Sequence, residues 1–250
     1  MSKILIYPAG TTAACQHAAT CIHKENYALV DHPTPEVTHL LLDVPSFAPD
    51  GNLRGGGAVE RLLEMLPPDV TVVGGNLNHP ALEEKRVVDL LKDETYLAMN
   101  AAITAECALE IAMPQLNTAL YDSPALIIGW GRIGKCLARL LKAFGCPVTV
   151  AARKESGRAM LRALQYTAVD TAQLATILPG YRLIFNTAPE PVLSAKELQK
   201  AKNCLKIDLA SRRGLEGEDV LWARGLPGIH APESSGKLIA ETLLHYIKEE

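Results

Sequence analysis

The apolar positions of this chain fall into short runs that alternate with longer stretches in which apolar residues recur every three or four positions. The short runs predict strands and the longer stretches predict amphipathic helices. In the first half of the chain, strands are predicted at Lys3–Tyr7, Ala28–Asp31, His39–Val44 and Val70–Gly74, and Arg86–Leu91 is open to either a strand or a helix. Helices are predicted at Thr11–Lys24 and Ala58–Leu66. The segment between Asp43 and Gly57 is rich in Pro and Gly and predicts a loop, either ordered for a function or mobile.

A long helical pattern from Tyr96 to about Met113 separates this half from a second, more regular alternation. Strands are predicted there at Ala125–Gly129, Val148–Ala152, Tyr166–Val169, Tyr181–Asn186, Leu205–Leu209 and Gly228–His230. Helices are predicted with apolar positions from Ile133 to Leu141, near Gly157–Leu164, and at Ala172–Leu178, Ser194–Lys200 and Ser234–Lys248. Strands that alternate with helices at this spacing predict an α/β fold with two Rossmann-like lobes, the C-terminal one built on a doubly wound parallel sheet.

The overall composition argues against several classes of binding partner. Net charge is −3, with 25 Lys and Arg against 28 Asp and Glu, and no basic block that would attract nucleic acid. No apolar run is long enough to cross a bilayer, and the chain enters a strand pattern directly instead of a secretory signal. Its six cysteines are scattered, which favours a reducing, cytoplasmic location. Cys15 and His23 would lie two helical turns apart, so no metal site is expected.

A glycine motif follows the strand at Ala125. Gly129, Gly131 and Gly134 are spaced as G-x-G-x-x-G between an apolar strand and a helix, and a second strand follows. In this context the first glycine allows a tight turn, the second lets backbone approach a pyrophosphate, and the third lets the helix pack on the strand. The helix N-terminus offers free N–H groups to the phosphates. Arg132 and Ile133, between these glycines, are further candidate cofactor contacts.

The end of the second strand predicts which dinucleotide binds. An NAD site places Asp or Glu there to hold the ribose hydroxyls, whereas this chain has Arg153 and Lys154. Two cations suit a 2′-phosphate, so NADP(H) is predicted over NAD(H). The alternative is a Rossmann-like fold with an exposed basic turn and no nucleotide. The predicted domains are residues 1–95 as a substrate or cap domain, 96–120 as a hinge helix, 121–232 as the NADP-binding domain and 233–250 as a C-terminal helix.

Polar residues after the later strands are candidates for binding and catalysis, because ligands of doubly wound sheets lie beyond the carboxyl ends of the strands. Candidate cofactor contacts are Asn186, Thr187, Pro189, Asp208 and Ser211. Candidate substrate and catalytic residues after these strands are Arg212, Arg213, His230, Glu233 and Ser234, and Thr104 and Glu106 in the long bridging helix are further candidates. Structural alternatives stay open for two of these groups: Asn186 can satisfy nearby backbone in a turn, and Ser234 or Ser235 can cap the last helix.

At these residues the sequence resembles the A subunit of dipicolinate synthase. The matching pieces run from about Thr95 to the C-terminus and are Asn100…Thr104-Ala-Glu106, Gly129-Trp-Gly131-Arg-Ile-Gly134, Ala151-Ala-Arg153, Asn186-Thr-Ala-Pro189, Ile207-Asp-Leu-Ala-Ser-Arg212 and Leu226-Pro-Gly-Ile-His-Ala-Pro232. The resemblance implies an NAD(P)-dependent oxidoreductase that yields dipicolinate from a dihydrodipicolinate-type precursor in spore formation. It also implies that the partner is a flavoprotein-like B subunit.

The sequence-based hypothesis is therefore an NADP-dependent oxidation of a small cyclic dicarboxylate, with a homo-oligomeric enzyme expected. His230 or Glu106 would accept the proton, and Arg212, Arg213 or Arg54 would bind a carboxylate. Thr104 and Ser234 complete the candidate substrate contacts. Two alternatives remain: another NADP-dependent reductase of the 2-hydroxyacid or shikimate dehydrogenase type, and a catalytically inactive nucleotide-binding regulatory subunit.

Overall fold

The computed structural model describes residues 4–249, which form eleven strands and nine α-helices in that range. The strands are β1 Leu5–Pro8, β2 Ala28–Leu29, β3 His39–Leu41, β4 Thr71–Gly74, β5 Val87–Asp89, β6 Ala125–Ile128, β7 Val148–Ala151, β8 Thr167–Val169, β9 Leu183–Asn186, β10 Leu205–Asp208 and β11 Val220–Trp222. The helices are α1 Ala13–Lys24, α2 Val59–Leu63, α3 Glu94–Ala112, α4 Arg132–Ala143, α5 Glu155–Ala163, α6 Leu174–Ile177, α7 Ala195–Leu198, α8 Leu226–His230 and α9 Pro232–Glu249. None of the helices in this described part has the length and apolar character that a bilayer crossing requires.

The chain divides into two compact units. The first unit holds the described parts of residues 1–100 and 227–250, and the second unit holds Ala101–Leu226. The boundaries fall within α3 and α8. Helix α9 therefore belongs with the N-terminal residues. Each unit has its own sheet, and both sheets are entirely parallel, which confirms the predicted α/β fold with two Rossmann-like lobes.

The sheet of the first unit has the order β2-β1-β3-β4-β5. Its direction of winding reverses between β1 and β3, and a small cavity of about 70 Å³ lies at the carboxyl ends of these two strands. The Asp43 carboxylate, 3% exposed, organises this point because it accepts hydrogen bonds from the backbone N–H groups of Thr11 and Thr12, both at 3.0 Å. Burial raises the pKa of the Cys15 thiol to about 12, and the negative charge of Asp43 contributes to this increase. The thiol is therefore inert at neutral pH.

The predicted loop after Asp43 folds back on itself through backbone hydrogen bonds. The Arg54 N–H donates to the Ser46 carbonyl at 3.0 Å, and the Leu53 N–H donates to the Gly57 carbonyl at 3.0 Å. The Phe47 ring stacks on His79 with ring centroids 4.7 Å apart. The loop carries the exposed Arg54 side chain beside the small cavity.

Helices α1 and α9 of the first unit pack closely at Gly236. A Cβ on Gly236 would collide with the carbonyl oxygen of Ala14 and lie 2.8 Å from the backbone N of Ala18. Backbone atoms of a helix cannot move aside as a flexible side chain can. We therefore expect Gly236→Val to lower the free energy of unfolding by about 1–3 kcal/mol, the usual cost of overpacking. Urea denaturation followed by circular dichroism measures this, and an unchanged midpoint would contradict the close packing.

The sheet of the second unit has the order β8-β7-β6-β9-β10-β11, the arrangement of a dinucleotide-binding sheet. Strands β6 and β9 are buried along their whole length because helices cover both faces. The winding reverses between β6 and β9, so loops at the carboxyl ends of these strands border the crevice where such sheets bind ligands.

Several predicted elements differ from the observed ones. The segment Gly228–His230, predicted as the last strand, lies in helix α8, and the sixth strand is β11 instead. Pro227 near the start of α8 suits the first turn of a helix, whereas it cannot donate to a strand ladder. For residues 86–91 both a strand and a helix were possible, and both occur: strand β5 is followed by a short 3₁₀ helix at Leu90–Lys92. Lys3, predicted in the first strand, lies outside the described residues.

The serine caps predicted for the last helix are also wrong. Helix α9 begins at Pro232, so Ser234 and Ser235 lie inside its first turn. The Ser235 N–H already donates to the Ala231 carbonyl at 2.9 Å. Proline at the first helical position starts the helix because its missing N–H costs nothing there.

Candidate dinucleotide-binding site

A cavity of about 600 Å³ opens at the carboxyl ends of β6 and β7 in the second unit. Its floor is the backbone at the ends of these strands and the glycine loop, and its rim carries the polar side chains. The lining residues are Ile128, Gly129, Trp130, Ala151, Ala152, Arg153, Lys154, Ser156, Gly157, Thr171, Ala172, Ala188, Glu190, Pro191 and Val192. The volume lies in the range of small-molecule and cofactor pockets.

The first and third glycines of the motif are required by close backbone packing. Gly129 has φ +108°, in the region that favours glycine, and a Cβ there would collide with the Thr187 hydroxyl. A Cβ on Gly134 would collide with the carbonyl oxygen of Gly129 and lie 3.3 Å from the same hydroxyl. Thr187 is fixed in turn because its hydroxyl donates to the Ile128 carbonyl at 3.0 Å. Thr187 therefore supports the glycine loop from the neighbouring strand end.

The second glycine of the motif, Gly131, has no close neighbours. No atom lies within 4 Å of a Cβ placed on Gly131, so this position faces open space. Gly131 is the N-cap of α4, and no side chain caps the helix there. The backbone N–H groups of Arg132 and Ile133 therefore begin a helix whose N-terminus is open to a phosphate. The arrangement fits a pyrophosphate that approaches backbone closely at this point.

The basic turn after β7 lies on the rim of the cavity. Arg153 and Lys154 are exposed and line it, together with Ser156. The backbone of the turn is held by Arg158, whose side chain is 15% exposed and donates to the carbonyls of Ala152 and Arg153, both at 2.7 Å. Arg158 also pairs with Asp170 at 2.6 Å, which ties the turn to the end of β8. The two exposed cations are thus carried on a rigid turn.

One acid faces this basic turn from across the cavity rim. Glu190, in the loop after β9, accepts hydrogen bonds from Arg153 Nη1 at 3.1 Å and 3.2 Å on its two carboxylate oxygens. Both side chains are largely exposed, at 71% for Arg153 and 56% for Glu190. Within residues 4–249, Lys154 forms no ion pair.

Asn186 and Asp208 do not line the cavity, and their side chains support the loops beside it. Both are fully buried and bound to each other, with Asn186 Nδ2 donating to Asp208 Oδ1 at 2.9 Å. Asp208 also accepts from the backbone N–H groups of Ala210, Gly214 and Leu215 at 3.0, 2.7 and 2.9 Å. Both side chains are 0% exposed and neither lines the cavity, so direct cofactor contact by them stays a prediction. The turn interpretation left open for Asn186 holds, because it also bonds the backbone of Ala188 in both directions.

The remaining candidates fall in both units. In the second unit, Thr104 is buried in α3, Glu106 is exposed on the same helix, and Pro189, Ser211 and Arg212 are exposed in loops after β9 and β10. The guanidinium of Arg213 is committed to backbone, since it donates to the carbonyls of Leu215 at 3.1 Å and Gly217 at 2.7 Å. His230, Ser234 and Arg54 are exposed in the first unit.

Sequence reasoning missed four polar or aromatic residues of the cavity: Trp130, Ser156, Thr171 and Glu190. Trp130 stands between two glycines of the motif, and an aromatic residue there was a usable signal. Its ring forms a wall of the cavity and contacts the Tyr166 ring at a centroid distance of 5.9 Å. Glu190 gave no signal, because 37 residues separate it from Arg153 and only the fold brings them together.

Comparison with known proteins identifies the class. Residues 86–216 match the family model of the D-isomer specific 2-hydroxyacid dehydrogenase, NAD binding domain, and the chain therefore belongs to this family. The family indicates a nicotinamide dinucleotide as the cofactor and an NAD(P) oxidoreductase as the class of protein.

The chain is also similar to a particular member of that class. It is 28% identical over 181 residues to the A subunit of dipicolinate synthase from Bacillus subtilis, an alignment that spans 69% of this chain and 61% of that protein. Its fold matches the A subunit of dipicolinate synthase from Bacillus halodurans with a TM-score of 0.86 and 22% identity, over 99% of this chain and 98% of the other. The Bacillus subtilis structure gives a TM-score of 0.85 at 21% identity, over 100% and 97%. The resemblance predicted from the motifs is confirmed.

Proposed function

We propose that this chain is an NADP(H)-dependent oxidoreductase of the same type as the A subunit of dipicolinate synthase. The observation that carries the cofactor choice is the pair Arg153 and Lys154 on the rim of the cavity, at the strand end where NAD-binding sheets place an acid. Cations at this position recognise a 2′-phosphate, and arginine does so with a planar set of donors.

The residues present fit a dinucleotide. Gly131 and the open N-terminus of α4 would receive the pyrophosphate, and Trp130 and the strand ends would border the adenosine. Arg153, Lys154 and Ser156 would hold the 2′-phosphate. When bound, the nicotinamide ring accepts or donates hydride, and the chain contributes orientation and charge placement.

For the substrate we propose a dihydrodipicolinate-type cyclic dicarboxylate that is oxidised to dipicolinate. In this oxidation the ring would lose a hydride and a proton and become aromatic, and a bound nicotinamide would supply the hydride acceptor. His230 or Glu106 would accept the proton, and Arg212 or Arg54 would bind a carboxylate, with Thr104 and Ser234 as further contacts. Arg213, bound to backbone carbonyls, is assigned to holding its loop. The similarity to the A subunit of dipicolinate synthase supports this substrate class.

The proposal also covers the partner subunit, the oligomeric state and the cellular compartment. From the resemblance to the A subunit of dipicolinate synthase, we propose a flavoprotein-like B subunit as partner and a role in spore formation. A homo-oligomeric assembly is proposed as well. All six cysteines are free, which supports a reducing, cytoplasmic compartment. We assign the substrate role to the N-terminal residues 1–95 and the cofactor role to residues 121–232.

The first test is selective binding. Trp130 lines the cavity, so quenching of tryptophan fluorescence reports binding there. The protein is expected to bind NADPH more tightly than NADH, and Arg153→Gln is expected to weaken NADPH binding about 10–30-fold through loss of a charge-assisted contact. NADH binding should change by less than about two-fold. Arg162→Gln is the matched control, since Arg162 is exposed and does not line the cavity. Equal affinities for the two nucleotides in the unmodified protein would overturn the NADP assignment.

A second candidate function rests on the family model itself, whose description is that of a 2-hydroxyacid dehydrogenase. This candidate is a reductase that acts on a small 2-keto acid with the same cofactor. Formation of dipicolinate from the dihydro acid and NADP⁺ supports the first function, whereas turnover of a panel of 2-keto acids with NADPH supports the second. Tight nucleotide binding with neither activity, even when a B subunit is supplied, would identify a regulatory subunit.

A further inference from the structure

Glu190 places a negative charge where the proposed function needs a positive surface. Its carboxylate oxygens lie 3.1 and 3.2 Å from the same Arg153 nitrogen, and both residues line the cavity. The pair joins the loop after β9 to the turn after β7, across the opening of the cavity. Arg153 has no other ion-pair partner among residues 4–249. In this structure the Arg153 cation is therefore paired with a carboxylate.

This contact is easily broken. The side chains are 71% and 56% exposed, and exposed ion pairs contribute little because water and salt screen them. A phosphate monoester carries a charge of about −1.5 to −2 at neutral pH and three acceptor oxygens. It would displace a single carboxylate from Arg153. The turn itself stays in place meanwhile, because Arg158 holds the carbonyls of Ala152 and Arg153.

We propose that Glu190 is a selectivity residue that competes with the 2′-phosphate for Arg153 and so limits the preference for NADP(H) over NAD(H). The inference rests on the proposed binding of the 2′-phosphate by Arg153. Binding of NADP(H) requires the carboxylate to leave the guanidinium, and it then remains near a second anion. Neither cost applies to NAD(H), which has no phosphate at this position.

The test is Glu190→Gln, which keeps the shape of the side chain and removes its charge. NADPH is expected to bind about 2–5-fold tighter to this variant, the size of effect that weakly coupled exposed charges produce. NADH binding should change by less than about two-fold. Glu216→Gln serves as the matched control, since Glu216 is an exposed acid of the same unit that does not line the cavity.

A double-mutant cycle separates this inference from the function on which it depends. In the Arg153→Gln background, Glu190→Gln should no longer tighten NADPH binding, because the competed cation is gone. If Arg153→Gln weakens NADPH binding and Glu190→Gln leaves it unchanged, the role of Glu190 is overturned while the cofactor proposal stands. If Arg153→Gln alone has no effect on NADPH, the cofactor proposal fails and the role of Glu190 fails with it.

Discussion

Gly134→Val is expected to abolish measurable binding of both NADPH and NADH, a loss of at least about 100-fold. A Cβ at this position would meet the carbonyl oxygen of Gly129, which is backbone and cannot rotate away. Either the start of α4 or the glycine loop after β6 must then shift. A misplacement of about 1 Å can cost about 100-fold in the rate of a reaction, and we expect a loss of similar size in binding here. Titration followed by tryptophan fluorescence or by calorimetry measures it.

Gly180→Ala is the matched control for this variant. Gly180 lies in the short 3₁₀ helix Leu178–Gly180, and no atom stands within 4 Å of a Cβ placed there. This substitution should leave both affinities unchanged. A Gly134→Val protein that keeps its circular dichroism spectrum and binds NADPH normally would show that the glycine loop does not receive the dinucleotide.

The part of the site that the sequence predicts is the part formed by neighbouring residues. Strand β6, the glycine loop, α4 and β7 follow one another within residues 125–151, and the close packing of Gly134 against the Gly129 carbonyl lies within that stretch. The basic turn at Arg153 and Lys154 is likewise predicted directly from the end of a strand. A local pattern of strand, turn and helix therefore predicts both the cavity and the charge on one side of it.

The other side of the cavity comes from contacts between distant residues, and sequence reasoning fails there for that reason. Asn186 and Asp208 follow strands as ligand-binding residues do, yet the two strands are neighbours in the sheet and their side chains bind each other. Glu190 looks like any exposed acid in a loop until the fold sets it against Arg153. Pairing across a sheet decides such cases, and a single sequence does not display it.

Prediction of secondary structure from the sequence also fails at the edge strand of the second sheet. Strand β11 has only three residues, and two of them, Leu221 and Trp222, are exposed at 40% and 42%. A short edge strand buries one face incompletely and loses the alternation that identifies a strand. The predicted strand at Gly228–His230 contains a single strand-favouring residue, Ile229, and Pro227 before it suits the first turn of a helix.

The buried carboxylate of Asp208 leads to the second large effect. Asp208→Ala removes the acceptor of four hydrogen bonds. Three buried backbone N–H groups then lose their partner, and Asn186 Nδ2 keeps only its bond to the Ala188 carbonyl. Each unsatisfied buried donor costs about 1–3 kcal/mol, partly relieved by rearrangement. We expect the free energy of unfolding to fall by about 3–5 kcal/mol, similar to the loss of one partner from a buried charged pair.

Tryptophan fluorescence suits the measurement of this effect. The protein has two tryptophans, Trp130 and Trp222, and both lie in the same unit as Asp208. Their emission during urea denaturation therefore follows the unit that carries the substitution. Asp208→Asn keeps the shape and one acceptor oxygen but turns its NH2 group toward two donors, so it should lower the free energy of unfolding as well. Equal stability of the alanine variant and the unmodified protein would mean that water satisfies these donors, and that the loops flanking the cavity do not depend on Asp208.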